Sequence, residues 1–133
     1  MDKLMIAIKA RWDSASGATA RGLCPGDIFQ GRAPAKVSTP YVIVMLPSSF
    51  STDSMGSELI RPLVEWTVFD TATSPQAAWA ANEAIRDLYA DVLITVTGWS
   101  TIQAQVENPG IAAWDDDSKA WGITMDIRYI LGK

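Results

Sequence analysis

The chain contains no histidine and only one cysteine, Cys24, among 133 residues. Without histidine the commonest general base and metal ligand are missing, and no Ser-His or Cys-His dyad can be assembled. One thiol cannot close an intrachain disulfide, and zinc sites built on cysteine or histidine pairs are excluded as well. The expected role of Cys24 is that of a small buried or half-buried packing residue. No stretch approaches the 18 or so consecutive apolar residues of a membrane span. The first residues do not read as a signal peptide: Asp2 stands where positive charge is expected, and Lys9 and Arg11 interrupt the apolar positions. Synthesis in the cytoplasm, without a membrane partner, is the expectation.

Clusters of positive charge are also lacking. The 11 Lys and Arg are scattered singly against 15 Asp and Glu, giving a net charge of −4. Phosphate affinity comes from clustered basic residues, so a general nucleic-acid binder is not expected. The hydrophobic share of 48% and charged share of 20% are ordinary for a folded globular protein. With no internal repeat, low-complexity tract or linker, residues 1–133 read as one domain.

Catalytic motifs are as scarce. No GxGxxG occurs. Gly26-Asp27-Ile28-Phe29-Gln30-Gly31-Arg32 has the glycine spacing of a phosphate loop. However, Arg32 replaces the lysine, Ala33 the metal-binding hydroxyl, and bulky Ile28 and Phe29 sit where small residues are needed. It reads as a strand followed by a turn. Asp115-Asp116-Asp117 is the one acidic cluster; consecutive side chains diverge and no bidentate Glu follows at calcium-loop spacing, so a solvated hairpin turn is expected. Glu65 or Glu83 with an Asp could form a carboxylate pair, yet nothing in the sequence places two such groups in one cleft. No cofactor, metal or catalytic residue is assigned.

What is present is a regular succession of elements. Leu4, Ile8, Trp12 and Ala15 give helical spacing from Asp2 to Ser14, ended by Ser16-Gly17. A small-residue connection through Gly22, Pro25 and Gly26 leads to a short strand, Ile28-Phe29. After a Gly/Pro-punctuated stretch, Pro40 precedes Tyr41–Leu46, a run apolar enough to lie inside a sheet. Residues 48–57, SSFSTDSMGS, are the most loop-like of the chain, and Phe50 and Met55 are their apolar exceptions. Such a loop is expected to be mobile and suited to ordering against a partner. Glu58–Asp70 alternates Val64, Trp66 and Val68 against Leu63, Glu65, Thr67 and Phe69, with Pro62 marking a bulge or the start of regular pairing.

A second helix runs from Gln76 to Val92 after Thr73, Ser74 and Pro75, burying Ala78, Ala81, Ile85, Leu88/Tyr89 and Val92. Trp99–Glu107 alternates Ile102, Ala104 and Val106 against polar residues and stops at Asn108-Pro109-Gly110. Ile111–Trp114, the Asp115–Ala120 turn and a final strand, Trp121–Leu131, complete the chain. Trp114 and Trp121 flank the turn, either clamping the hairpin across its strands or offering an aromatic anchor to another subunit. Trp12, Trp66 and Trp79 are expected in or near the core. The order α-β-β-β-α-β-β predicts an α+β fold, an antiparallel-rich sheet with two helices packed on one face.

In that order the chain resembles the tail-completion or tail-terminator proteins of long-tailed bacteriophages. The resemblance is carried by the N-terminal amphipathic helix, Ile28-Phe29, the Ala33-Pro34 turn and the Pro40-Tyr41-Val42-Ile43-Val44 strand. The long loop, a strand ending in Phe69-Asp70, the alanine-rich helix and a last strand ending Ile127-Arg128-Tyr129-Ile130 complete it. It implies a structural protein, not an enzyme, located at the capsid-proximal end of a virion tail. There a six-fold ring of identical subunits would stop growth of the tail tube and present a joining surface to the head-side connector. Its implied partners are copies of itself, the tail-tube protein and that connector. DNA would pass through the lumen without specific binding. Phe50 and Met55 would contact neighbours, and Asp53, Glu58 and Asp115–Asp117 would keep the lumen acidic, where negative charge repels phosphate. Two alternatives stand beside this reading. One is a connector of the virion neck with a related fold; the other is a non-viral α+β domain that binds a small ligand or acts as an enzyme.

Overall fold

A computed structural model describes the backbone of residues 2–48, 51–54 and 57–133 and the side chains of 3–46 and 59–133. The chain begins with helix α1, Asp2–Asp13. Leu4, Ile8 and Trp12 recur at i, i+4 and i+8 and are buried, the stripe that a 3.6-residue period places on one face. Ser14 turns the backbone to an extended conformation, with ψ at 171°. After one 3-10 turn, Ala15–Gly17, a second short helix α2 follows, Ala18–Leu23. The sequence reading had placed only a small-residue connection there. Arg21 of α2 reaches back so that its guanidinium donates to the Trp12 carbonyl and, at 2.6 Å, to that of Ser14. A cation thereby satisfies carbonyls that the end of α1 leaves without helical partners.

The strands are β1 (Ile28–Gln30), β2 (Tyr41–Ser48), β3 (Ser51–Ser54), β4 (Ser57–Ile60), β5 (Leu63–Asp70), β6 (Ser100–Asp115) and β7 (Ala120–Gly132). They form one seven-stranded sheet in which β1 joins β2 in parallel and every other described pairing is antiparallel. β4 and β5 pair with the same edge of β7: Leu59↔Gly132, Ile60↔Leu131 and Leu63↔Arg128 keep one register. Pro62 interrupts them without shifting it, and its carbonyl accepts the Tyr129 amide at 3.0 Å. This is the start of regular pairing that a proline without an N–H permits. On the other side a register shift between Met45 and Ser48 leads from the β2–β5 ladder into the β3–β4 ladder. β2 with β3 and β4 with β5 are thus the two sides of one long hairpin.

Helix α3, Gln76–Tyr89, buries Ala78, Ala81, Ile85, Leu88 and Tyr89, the stripe expected from the sequence except for Val92, which lies beyond the end of the helix and is half-buried. Its small residues let it lie against β5 and β7, where Val64, Trp66, Val68, Ile123, Met125, Ile127 and Tyr129 are fully buried. Trp66 is the centre of this layer, with ring centroids 5.0 Å from Tyr89 and 6.5 Å from Tyr129. α1 is tied to α3 by two hydrogen bonds. The buried Tyr89 hydroxyl donates to the Ile8 carbonyl at 2.7 Å, and Arg11 Nε donates to the Leu88 carbonyl at 2.9 Å. The fold is therefore α+β, helices on one face of an antiparallel-rich sheet, with a short helix more than the sequence reading counted.

Cys24 sits inside this core, 2% exposed. Burial, reinforced by the nearby Asp27 carboxylate, pushes its thiol up to about 12. Among the described residues no helix is long and apolar enough to cross a membrane.

Candidate assembly surfaces

The residues singled out in the sequence separate to two opposite ends of the sheet. At one end stands the β3–β4 arm, where Asp53 and Glu58 are register partners. Leu59 pairs with Gly132 at the limit of β7, so the Asp53–Glu58 and Ser54–Ser57 pairs lie beyond the neighbouring strand. Phe50 and Met55 fall outside the described residues. Residues 51–54 and Ser57, expected as loop, are strand here, while 58–60 are strand as expected: serines and threonine take up strand geometry when a partner strand supplies hydrogen bonds.

At the other end β6 and β7 are joined by the acidic turn. Trp114 and Trp121 face each other as a directly opposed pair, ring centroids 5.5 Å apart and planes inclined at 64°. That edge-to-face arrangement is favoured by the ring quadrupoles. It clamps the hairpin, while 40% of Trp114 remains exposed. The three aspartates do not converge on a common point. Asp115 accepts the Asp117 amide at 3.0 Å and the Ser118 hydroxyl at 2.8 Å. These bonds, the hydroxyl first, hold its carboxyl below the usual range. Asp116 accepts the Trp114 indole N–H at 2.9 Å and lies 3.7 Å from the Lys119 ammonium. Among the described residues no three of His, Cys, Asp and Glu gather closely enough to hold a metal ion.

Between the two ends the sheet has one face without helices. Glu65 and Asp126 are direct cross-strand neighbours on it, an arrangement of like charges that costs stability. Partial burial raises both carboxyls, and each gains a further push from a neighbouring carboxylate, Asp126 for Glu65 and Glu107 for Asp126. The Asn108 side chain and Arg128 partly offset this at Asp126. Arg128 also binds Glu107 at 3.0 Å and the Arg61 carbonyl at 2.8 Å. The sequence reading named Glu65 without finding its partner; outward positions of β5 and β7 carried the signal, but only the register pairs them. Both residues of the pair are half-buried on this face. Further along the same face, Tyr41 stacks on Phe69 at 5.3 Å and meets Phe29 edge-on at 6.5 Å.

The bulged middle of β6 is fixed by α3. Asn108-Pro109-Gly110 is an irregularity inside the strand, where a strand-ending turn was expected. Asn82 is buried and donates to the Pro109 carbonyl at 3.0 Å. Trp79, expected near the core, is instead 37% exposed and lies over Gly110. An earlier shift, between Thr101 and Gln103, leaves Ile102 54% exposed where simple alternation pointed it inward.

No protein-family model and no curated protein matches the sequence. The fold does have a counterpart: a chain from the virion of a native gene transfer agent particle superposes with a TM-score of 0.86, covering 98% of this chain and 95% of that one at 13% identity.

Proposed function

We propose that this chain is a structural subunit of a tailed virion, closing the tail tube as a ring at its capsid-proximal end and offering the head-side connector a joining surface. The observation that carries the reading is the end-to-end likeness to a virion chain: both chains are covered almost completely, so the shared unit is the whole domain. The order of elements adds support, because it follows the tail-terminator pattern from the first helix to the last strand. Of the proposed contact residues, Asp53 and Glu58 lie at one end of the strands and Trp114, Asp115 and Trp121 at the other, an arrangement that suits a subunit held between two different neighbours. A head-to-tail ring needs two distinct complementary faces on each subunit, and it closes when the rotation per copy returns to the start. Phe50, Asp53, Met55 and Glu58 would act at the arm, and Trp114, Asp115–Asp117 and Trp121 at the hairpin turn. A net charge of −4 favours passage of DNA without capture. The subunit works by fitting, with no chemical step.

The test is sedimentation and negative-stain electron microscopy of the purified chain, alone and with tail-tube protein. Six-fold rings seated on tube ends are the expected result. Rings or monomers that bind the capsid-side vertex and ignore the tube would move the chain to the connector. A strict monomer that turns over a small substrate would end the structural reading. Replacing Phe50 and Met55 by Ser should block ring growth while the far-ultraviolet circular dichroism and melting midpoint stay as in the wild type.

A further inference from the structure

Among the described residues the outer strands of the sheet are β1 and the β3 arm, which end the strand order, and β6, which pairs β7 alone. An exposed edge templates another strand unless charge, proline or a bulge blunts it. β6 is blunted along its first two-thirds by Glu107, Pro109 and the register shifts between Thr101 and Ile111. Its last part is not. Ile111-Ala112-Ala113-Trp114 pairs regularly with β7, carries no charge, and leaves Ile111 63% and Trp114 40% exposed. The β1 edge, Ile28-Phe29-Gln30, is one residue shorter and also uncharged, and beside it runs a groove of about 280 Å3 lined by Met5, Ile8, Ile28, Phe29 and Val44 together with Lys9 and Gln30.

The register aligns these two edges. Phe29 pairs with Ile43, Ile43 with Thr67, Thr67 with Thr124, and Thr124 with Ile111. One row of residues therefore crosses the sheet from edge to edge. One parallel and three antiparallel steps separate β1 from β6, so the two run in opposite directions. A second copy set beside the first in the same orientation would bring its β1 antiparallel to Ile111–Trp114, Phe29 level with Ile111. Arg32 leaves β1 at the Val44 end, level with Asn108 of the adjoining copy, while Asp27 stands in the row of Tyr41, which continues through Phe69 and Gly122 to Ala113; exposed Lys36 lies on the way back from β1 to Tyr41. Asp115–Asp117 begin two residues beyond that row.

We propose that Ile111–Trp114 of one copy adds to β1 of the next, joining their sheets edge to edge, with Asp115–Asp117 facing the neighbour's Lys36. This rests on the ring reading and names the surfaces by which its subunits meet. Main-chain hydrogen bonds supply affinity in such strand addition, and the side chains at the rim supply specificity. Because β1 and β6 are different edges, the contact is head-to-tail and repeats from copy to copy.

The interface is tested with the full chain carrying Phe29→Cys and Ile111→Cys, treated with a short bismaleimide under assembly conditions. Covalent multimers that end at the ring's subunit number are expected, and Phe29→Cys with Gln103→Cys should give none. Ile111→Lys, a change at an exposed position that the fold tolerates, should raise the concentration for half-assembly by about ten-fold or more. Asp117→Lys and Lys36→Asp should each weaken assembly, and the double variant should recover part of the loss. Rings that form as in the wild type with Ile111→Lys and yield no cross-link overturn this interface while the ring reading stands. Cross-links to tube protein alone assign the edge to that protein and overturn it too. A wild-type chain that never self-associates, with or without tube protein, overturns both.

Discussion

Gly110 offers the sharpest test of how α3 and β6 are joined. Its φ is +149°, a region that side chains strongly disfavour, and an added Cβ would stand 2.8 Å from Trp79 Cζ3 and 3.1 Å from Asn82 Nδ2. Gly110→Ala therefore meets two costs. The backbone conformation costs about 1.5 kcal/mol for a non-glycine residue. Relieving the clash swings the Trp79 ring outward, exposing roughly 60 Å2 of apolar surface, about 1.5 kcal/mol at 25 cal/mol per Å2. A loss of about 3 kcal/mol should lower the melting midpoint by roughly 10 °C in a domain of this size. Chemical denaturation gives the free energy, and a double-mutant cycle separates the two parts. In a Trp79→Ala background the clash is gone, so Gly110→Ala should then cost about 1.5 kcal/mol, a coupling of similar size. The reasoning fails if Gly110→Ala unfolds within about 0.5 kcal/mol of the wild type, or if its cost is unchanged without Trp79.

Glu65→Gln removes the charge that opposes Asp126. It should stabilise the fold at neutral pH by about 0.5 kcal/mol, seen as a higher denaturation midpoint. Both folded-state carboxyls are raised. The native state thus holds more protons than the unfolded one just above the ordinary carboxylate range, and wild-type stability should fall as pH rises through that window. The variant should show a flatter profile; an identical slope would refute the coupling. Tyr89→Phe removes the buried bond to the Ile8 carbonyl and should cost about 1–1.5 kcal/mol in urea unfolding; a neutral result would mean that α1 is held by apolar contact alone. Trp114→Ala should cost about 1 kcal/mol through its ring contact with Trp121 and leave the near-native dichroism of the domain intact, whereas global unfolding would show that the pair belongs to the core.

The parts of the fold that local pattern decides were legible in the sequence. β5 and β7 alternate without error, and the apolar positions Val64, Trp66, Val68, Ile123, Met125, Ile127, Tyr129 and Leu131 are the buried ones, as are the α3 stripe residues from Ala78 to Tyr89. The misplacements share a cause: each was decided by a distant partner. Ser51–Ser54 become strand because β4, expected from Glu58 onward, pairs with β7 across more than seventy residues and offers its other edge to them. Ile102 turns outward because a bulge absorbs a residue of β6, and Trp79 settles over Gly110 because that bulge comes up against α3. α2 was missed because Gly17 and Gly22 signal endings, while nothing in six residues signals a restart. Of the candidate contact residues, the Trp114–Trp121 clamp and the solvated aspartate turn could be read from their spacing around one hairpin. Their partners could not, since a surface's complement is written in the chain it meets.

Cys24 has a practical consequence. As the sole thiol of the chain, held in the core and kept protonated, it stays silent to alkylating reagents while the domain is closed and reacts when the domain opens. Labelling rate at this atom is therefore a native clock for breathing of the domain, readable without any engineered probe. Comparing that clock in the dispersed chain and in any assembly it forms would measure how far association slows the protein's own fluctuations.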